Sequence, residues 1–219
     1  EPEAEKEKQK KAPPALLIAV VDVSGGEVHY VDQKEGTDFR ANQIDFKVKD
    51  FDLNRPFSAE LAAALFSEKQ NLKLQAQIGP IGSRSDFSDV PLDGKADIES
   101  LDFGKLKSTL PAVRAALPKD MDLSGILTAK DVRLKGTLKK LSLKGILDGT
   151  GAAVTYGQTL RKAAGIPFVV SADAQYGNGL LRLGQTKAKL NTMELTGNGE
   201  VNLGDGPALN LSLASNRFS

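Results

Sequence analysis

Leu209-Asn210-Leu211-Ser212-Leu213-Ala214, close to the end of the chain, alternates apolar and polar side chains without a break. Val201-Asn202-Leu203 and Leu141-Ser142-Leu143 are written the same way. Successive side chains of a strand point to opposite faces, so each segment predicts a strand with one dry and one wet face. Glycines and Asn-Gly pairs separate such segments from Leu138 onward, and strands joined that way form an antiparallel sheet. What the dry face is for is the functional question.

The same writing extends upstream. Leu16 to Val23 reads as a strand, Ser24-Gly25-Gly26 as a turn and Glu27 to Asp32 as its return, a tight hairpin. Phe39 to Leu53 reads as a long strand in which Ile44, Phe46 and Val48 share a face. Its phase then slips to Phe51 and Leu53, which predicts a β-bulge near Lys49-Asp50. Phe57 to Phe66 and Asn71 to Gly79 continue the meander, with Leu72, Leu74, Ala76 and Ile78 on one face and Lys73, Gln75 and Gln77 on the other. Gly82 to Asp89 is polar and reads as a loop, and Leu92 to Leu101 as a strand.

One helix interrupts the pattern. Leu106, Leu110, Val113 and Leu117 make a single apolar stripe at helical spacing. Pro111 either kinks that helix or opens its second half. Strands resume at Leu123, where Lys130-Asp131-Val132-Arg133-Leu134 echoes Lys49-Asp50-Phe51-Asp52-Leu53, each read as entering a turn, a hint of an internal repeat. Gln158 to Gly165 reads as a connection with room for one helical turn. Ile166 to Gln175, Leu180 to Leu183, Lys187 to Leu195, Gly199 to Leu203 and Ala208 to Ala214 follow as strands. Gly177-Asn178-Gly179 and Gly197-Asn198-Gly199 are hairpin or bulge signals. The fold class is mainly β: about fourteen strands, one per turn signal, in a long curved antiparallel sheet with one short capping helix near 103–117. Residues 1–14, which include the balanced run EPEAEKEKQKK, read as a charged linker, and 15–219 as one β domain.

Composition removes several chemistries. The 219 residues hold no Cys and one His, which excludes thiolate catalysis, Cys-based zinc sites and disulfides. Aromatic residues are 5% with no Trp, poor equipment for stacking bases or sugars. Lys+Arg is 29 against Asp+Glu 28, so no bulk charge argues for nucleic acid. No apolar run approaches the roughly 20 residues of a membrane span. His29, beside Tyr30 and Asp32, reads as a solvated or cross-strand-paired side chain rather than a catalytic base. Asp120 with Asp122, and Asp86 with Asp89 and Asp93, lack the alternating ligands of a calcium loop and read as turn carboxylates. Gly145 to Gly151 is glycine-rich but lacks the Gly-Lys-Ser/Thr ending of a phosphate loop. Lys130, Arg133, Lys135, Lys139, Lys140 and Lys144 oppose a leucine face. They read as the protected wet side of a sheet, with contact to anionic headgroups as the alternative.

The segment Leu134-Lys135-Gly136-Thr137-Leu138-Lys139-Lys140-Leu141-Ser142-Leu143-Lys144-Gly145-Ile146-Leu147-Asp148 resembles the AsmA family. The likeness continues through Gly151 to Gly157 (GAAVTYG) and Leu160 to Pro167 (LRKAAGIP), and closes at Leu195 to Val201 (LTGNGEV). Upstream, Val23 to Asp32 (VSGGEVHYVD), Asp52 to Phe57 (DLNRPF) and Ala64 to Ser67 (ALFS) are similar to the family's opening hairpin and the strand that follows. The resemblance implies a repeating β-groove whose hydrophobic channel passes phospholipid between the inner and outer membranes of a Gram-negative bacterium, in support of outer-membrane biogenesis. It also implies a periplasmic segment of a longer protein anchored in the inner membrane, with no catalytic residues, cofactor or metal. Its partners would be phospholipid or acyl chains, and the two membranes through flanking regions.

The expected function is therefore non-enzymatic lipid binding. The candidate groove residues are Leu72, Leu74, Ile78, Leu141, Leu143, Leu209, Leu211 and Leu213. Two readings from other classes stand beside it: a scaffolding module that binds envelope proteins through its sheet edges, and an enzyme with a carboxylate-built site. The residues alone leave open whether the dry face closes as a sandwich core or stays open as a groove.

Overall fold

The computed structural model describes residues 17–34, 36–115, 117–202 and 208–215, with the backbone alone at Ala112, Ala208, Leu209, Leu211 and Leu213. The linker assigned to residues 1–14 lies outside the described residues. Thirteen strands form one open antiparallel sheet. The first five are β1 (Leu17–Asp32), β2 (Thr37–Asp52), β3 (Phe57–Leu65), β4 (Leu72–Ile78) and β5 (Leu92–Asp102). After two short helices come β6 (Met121–Thr137), β7 (Lys140–Asp148), β8 (Ala152–Tyr156), β9 (Leu160–Lys162), β10 (Phe168–Gly177), β11 (Leu180–Leu190), β12 (Met193–Asn202) and β13 (Ala208–Ser215). Their spatial order follows the chain from β1 to β7, then passes to β10 and on to β13. The pair β8–β9 branches from β6.

Up-and-down connection puts the turns at two ends. At the turn end lie residues 53–56, 79–91, 138–139 and 178–179, where Asn178 and Gly179 both take positive φ and make the tight hairpin that the Asn-Gly pair predicts. At the helix end, α1 (Phe103–Thr109) leaves β5 with the Asp102 carboxylate accepting from the Lys105 amide at 3.0 Å. Leu110 is extended and Pro111 is the first residue of α2 (Pro111–Ala115), so the proline opens a second helix rather than kinking the first. The β3–β4 hairpin stops at Leu65 and Leu72 while β2, β5 and β6 run past it, and α1 lies there touching all three.

Four local readings are corrected. Ser24-Gly25-Gly26 is not a turn: β1 runs through it, with a register shift against β2 at Gly26, and left-handed Gly25 donates its amide to Asp45. The bulge of β2 against β3 sits at Asn42–Asp45, with Gln43 left-handed. At Asp50 the backbone is also left-handed, but the register there is unbroken. Residues 158–165 hold strand β9 and no helical turn. Finally, β11 and β12 are each continuous, so the turn falls at Asn191–Thr192 inside the predicted strand Lys187 to Leu195. Gly197-Asn198-Gly199 instead lies opposite the bulge of β11. The echo at Lys130–Leu134 is real in backbone terms, because Asp131 is left-handed like Asp50. It lies within β6, however, not before a turn.

These bulges fall on one line. Register shifts occur at Ala96–Leu101 between β5 and β6, Lys130–Arg133 between β6 and β7, Ser171–Ala174 between β10 and β11, and Leu183–Thr186 between β11 and β12. A bulge adds a residue to one strand, bends it and sharpens its twist, so this row of bulges creases the β5–β12 part of the sheet. Gly145 lies on the crease, where a Cβ would come within 2.9 Å of the Val132 Cα.

Backbone pairing of β8 with β6 and β9 holds the branch, and one buried side chain adds to it. Lys162 is 4% exposed, and its Nζ donates to the carbonyls of Ala152 at 2.6 Å, Ala163 at 3.2 Å and Thr150 at 3.4 Å. Burial lowers its pKa, opposed by the nearby Asp148 carboxylate.

Candidate functional site: the open apolar face

The strand register joins the dry positions of separate strands across the sheet. One row runs Val48, Ala59, Ala76, Gly94, Leu134, Leu143, Ala174, Leu183, Gly199. A second, nearer the turn end, runs Phe57, Ile78, Leu92, Gly136, Leu141, Tyr176, Leu181, Val201. A third, nearer the helix end, runs Ala63, Leu72, Ile98, Ala129, Leu147, Val170, Ala188, Leu195. Residues directly opposite in an antiparallel pair share a face, so each row is a continuous apolar band.

Among the described residues every strand belongs to this sheet, with β8–β9 branching from β6. The main contacts of α1 with the sheet are to β6, β2 and β5 at one end. Among the described residues the buried apolar side chains are mostly alanine, and no large side chain is fully enclosed. The one compact cluster is Val48, Phe57 and Ala59 with Phe51, Ile78 and Ile81 under the turn-end loop. The rings of Phe51 and Phe57 sit 4.9 Å apart there. The leucines of the rows are half-buried, and Leu147 is 37% exposed. At about 4.8 Å between strands and about 3.4 Å per residue, the three rows cover about 38 Å by about 20 Å.

The opposite face is polar by the same test. Lys49, Ser58, Gln77, Asp93, Lys135, Ser142, Gln175, Arg182, Glu200 and Asn210 form an unbroken row. Ion pairs lace neighbouring strands: Lys47–Asp22 at 2.8 Å, Lys49–Glu60 at 2.9 Å, Lys95–Asp131 at 2.8 Å and Arg182–Glu200 at 3.0 Å. The Lys95 ammonium, hydrogen-bonded to Asp131, holds that carboxyl below its usual range. Of the predicted cationic group, Lys135 pairs with Asp93, Lys144 with Asp173, and Lys139 with Asp86 and Asp89. Shallow hollows on this face are lined by Asp173, Gln175, Arg182, Asn198 and Glu200. A recess of about 1030 Å³ beneath α1 and α2 is lined by Pro111, Leu117 and Met121 with Lys107, Arg114 and Lys119.

Of the candidate residues, Leu72, Leu74, Ile78, Leu141 and Leu143 all lie half-buried on the apolar face. The β13 backbone places Leu209, Leu211 and Leu213 opposite Val201, Gly199 and Gly197, and their side chains lie outside the described residues. The sequence reading missed Leu134, Leu147, Val170, Leu181, Leu183 and Leu195, which complete the bands. Their strand-by-strand alternation was visible, but their alignment into rows depends on the register.

His29 Nε2 lies 2.7 Å from the Asp38 carboxylate across the β1–β2 pair, in an exposed position. Asp122 pairs with Lys107. Among the described residues no group of three or more His, Cys, Asp or Glu is placed to hold a metal ion, and no helix is long and apolar enough to cross a membrane. No family model, curated protein or solved structure matches the chain.

Proposed function

We propose that the open apolar face is a lipid-binding surface, and that the chain acts as a passive carrier along which phospholipid acyl chains pass while headgroups stay in water. The observation that carries this reading is the continuity of the three apolar rows across β3 to β12, with their leucines only half-buried. Each methylene removed from water is worth about 0.8 kcal/mol, so a partly covered acyl chain gains several kcal/mol without any polar contact. The resemblance to the AsmA family supports the same reading. It adds the setting: a periplasmic segment of an inner-membrane-anchored protein that moves phospholipid between inner and outer membranes. The role is one of binding, with no reaction assigned to any side chain.

Native mass spectrometry of the purified chain is the direct test, with co-purified phospholipid as the expected result. Leu143→Glu places a carboxylate in the middle of the central row. On an open face the charge stays hydrated, so the variant folds and its binding of apolar dyes falls several-fold. A wild-type chain that carries no lipid and takes up no apolar probe would overturn the proposal. The scaffolding reading has one observation of its own. Among the described residues edge strand β1 pairs only with β2 and leaves Val20, Val28 and Val31 about half exposed, so an extended segment of a partner protein fits there.

A further inference from the structure

We infer that the turn end of the sheet is a membrane-docking tip, in which Phe87 and Leu138 insert into a lipid surface. Phe87 is 66% exposed and Leu138 60%. They stand on different turns, one in the loop between β4 and β5 and the other between β6 and β7.

The two turns are built to present them together. Asp86 caps a single 3-10 turn, Phe87–Asp89, its carboxylate accepting from the Ser88 amide at 2.9 Å and the Ser88 hydroxyl at 2.5 Å. Lys139, next to Leu138, donates its amide to the Ser88 carbonyl at 3.2 Å. Its Nζ reaches Asp86 at 2.8 Å and Asp89 at 2.6 Å. One lysine therefore fixes both tips in one place and occupies both acidic groups of the loop. A turn held this firmly while it points a phenylalanine at water is ordered for contact, not for burial within the chain.

The surroundings favour a lipid surface over a protein. The tips are two separate apolar projections among Ser83, Ser85 and Ser88, not a flat patch. The Arg84 guanidinium bonds only to the carbonyls of Pro80 and Ile81, and Lys140 has no ion pair among the described residues. Their charge therefore remains free for anionic headgroups. Large apolar side chains flanked by cations are the pattern of an interfacial anchor. The tip also adjoins the row of Ile78, Leu92 and Leu141, so the apolar face begins where the bilayer would end. The tip does not depend on the proposed carrier role, because it can dock whether or not the face takes lipid.

The chain has no Trp, so Phe87→Trp supplies a single reporter. With vesicles of phosphatidylethanolamine and phosphatidylglycerol, its emission is expected to shift to the blue and to be quenched by brominated acyl chains. The double variant F87S/L138S is expected to keep its melting temperature, since both residues are exposed, and to bind vesicles about ten-fold or more weakly. Lys139→Ala, which leaves both apolar tips but frees the turns, should weaken binding by a smaller factor. F87S/L138S should leave apolar-dye binding unchanged, so loss of the tip is distinguished from loss of the face. Emission of the Phe87→Trp variant that stays water-exposed with vesicles, or equal vesicle binding by F87S/L138S, overturns the proposal. Either result would leave these side chains as a protein-facing surface.

Discussion

The two faces of this sheet share every backbone hydrogen bond and differ in what their side chains leave unfinished. On the polar face, charges meet partners one strand away, as in Lys95–Asp131 and Arg182–Glu200. On the apolar face, residues such as Leu134 and Leu143 lie opposite each other along the rows and stay only half-buried. The sheet thus holds its register through ladder bonds and lateral side-chain contact, without a second layer. The apolar surface is left over for another use.

If that contrast is right, stability is concentrated in the one place where apolar side chains are enclosed. Phe57, 7% exposed and packed on Phe51, is expected to give the largest loss. Phe57→Ala should cost about 3–5 kcal/mol in urea unfolding. Leu134→Ala, at the centre of the open face, should cost about 1–2 kcal/mol, because a half-exposed leucine gives up only part of the transfer free energy of a buried one. Equal costs at the two sites would mean that the face is covered after all, and the comparison of faces would break.

Much of this was legible in the residues. Alternation in segments such as Leu72–Ile78 and Leu141–Leu143 gave the strands and their dry sides, because period two is a local property. The Asn178-Gly179 turn was legible for the same reason. Pro111 narrowed the helix break to one residue but left two alternatives, which the extended Leu110 decides. The misreadings share a physical origin. Glycine marks both turns and bulges, since both use positive φ or a close backbone approach. Gly25 and Gly197-Gly199 therefore look alike in sequence, while the strand opposite decides between turn and bulge. Lys162 was unreadable for a different reason: a lysine buried on three carbonyls is specified by the fold around it, not by its neighbours in the chain.

The polar face offers a sharper version of the comparison. Arg182 and Glu200 are both largely exposed, so a double-mutant cycle to alanine should return a coupling of about 0–1 kcal/mol that shrinks with added salt. A larger, salt-independent coupling would mean that this face is shielded and is not simply the wet side.

The smallest effect is expected from pH, and its sign follows from the pairs themselves. The Lys139 ammonium, with help from Ser88, holds the Asp86 carboxyl well below the usual carboxylate range. Asp122 is likewise lowered, chiefly by its bond to Lys107. A carboxylate with a depressed folded pKa contributes stability above its unfolded value and loses it only as pH falls through the folded one. Lys47, Lys95 and Lys139 are raised by their acidic partners, so their contribution is complete below the ordinary lysine value and fades as pH rises through the higher folded one. Lys162 runs the other way, since burial lowers its pKa and deprotonation at high pH favours the fold. These Lys–Asp pairs should therefore be indifferent to pH between about 5 and 9. Amide exchange at Lys139, whose N–H bonds to the Ser88 carbonyl, reads this locally once corrected for the intrinsic pH dependence of exchange. Its protection should stay flat across that window and fall only in stronger acid. Loss of protection near pH 6 would show that the clasp depends on a group with an ordinary pKa, and that the polar face is less self-contained than its ion pairs suggest.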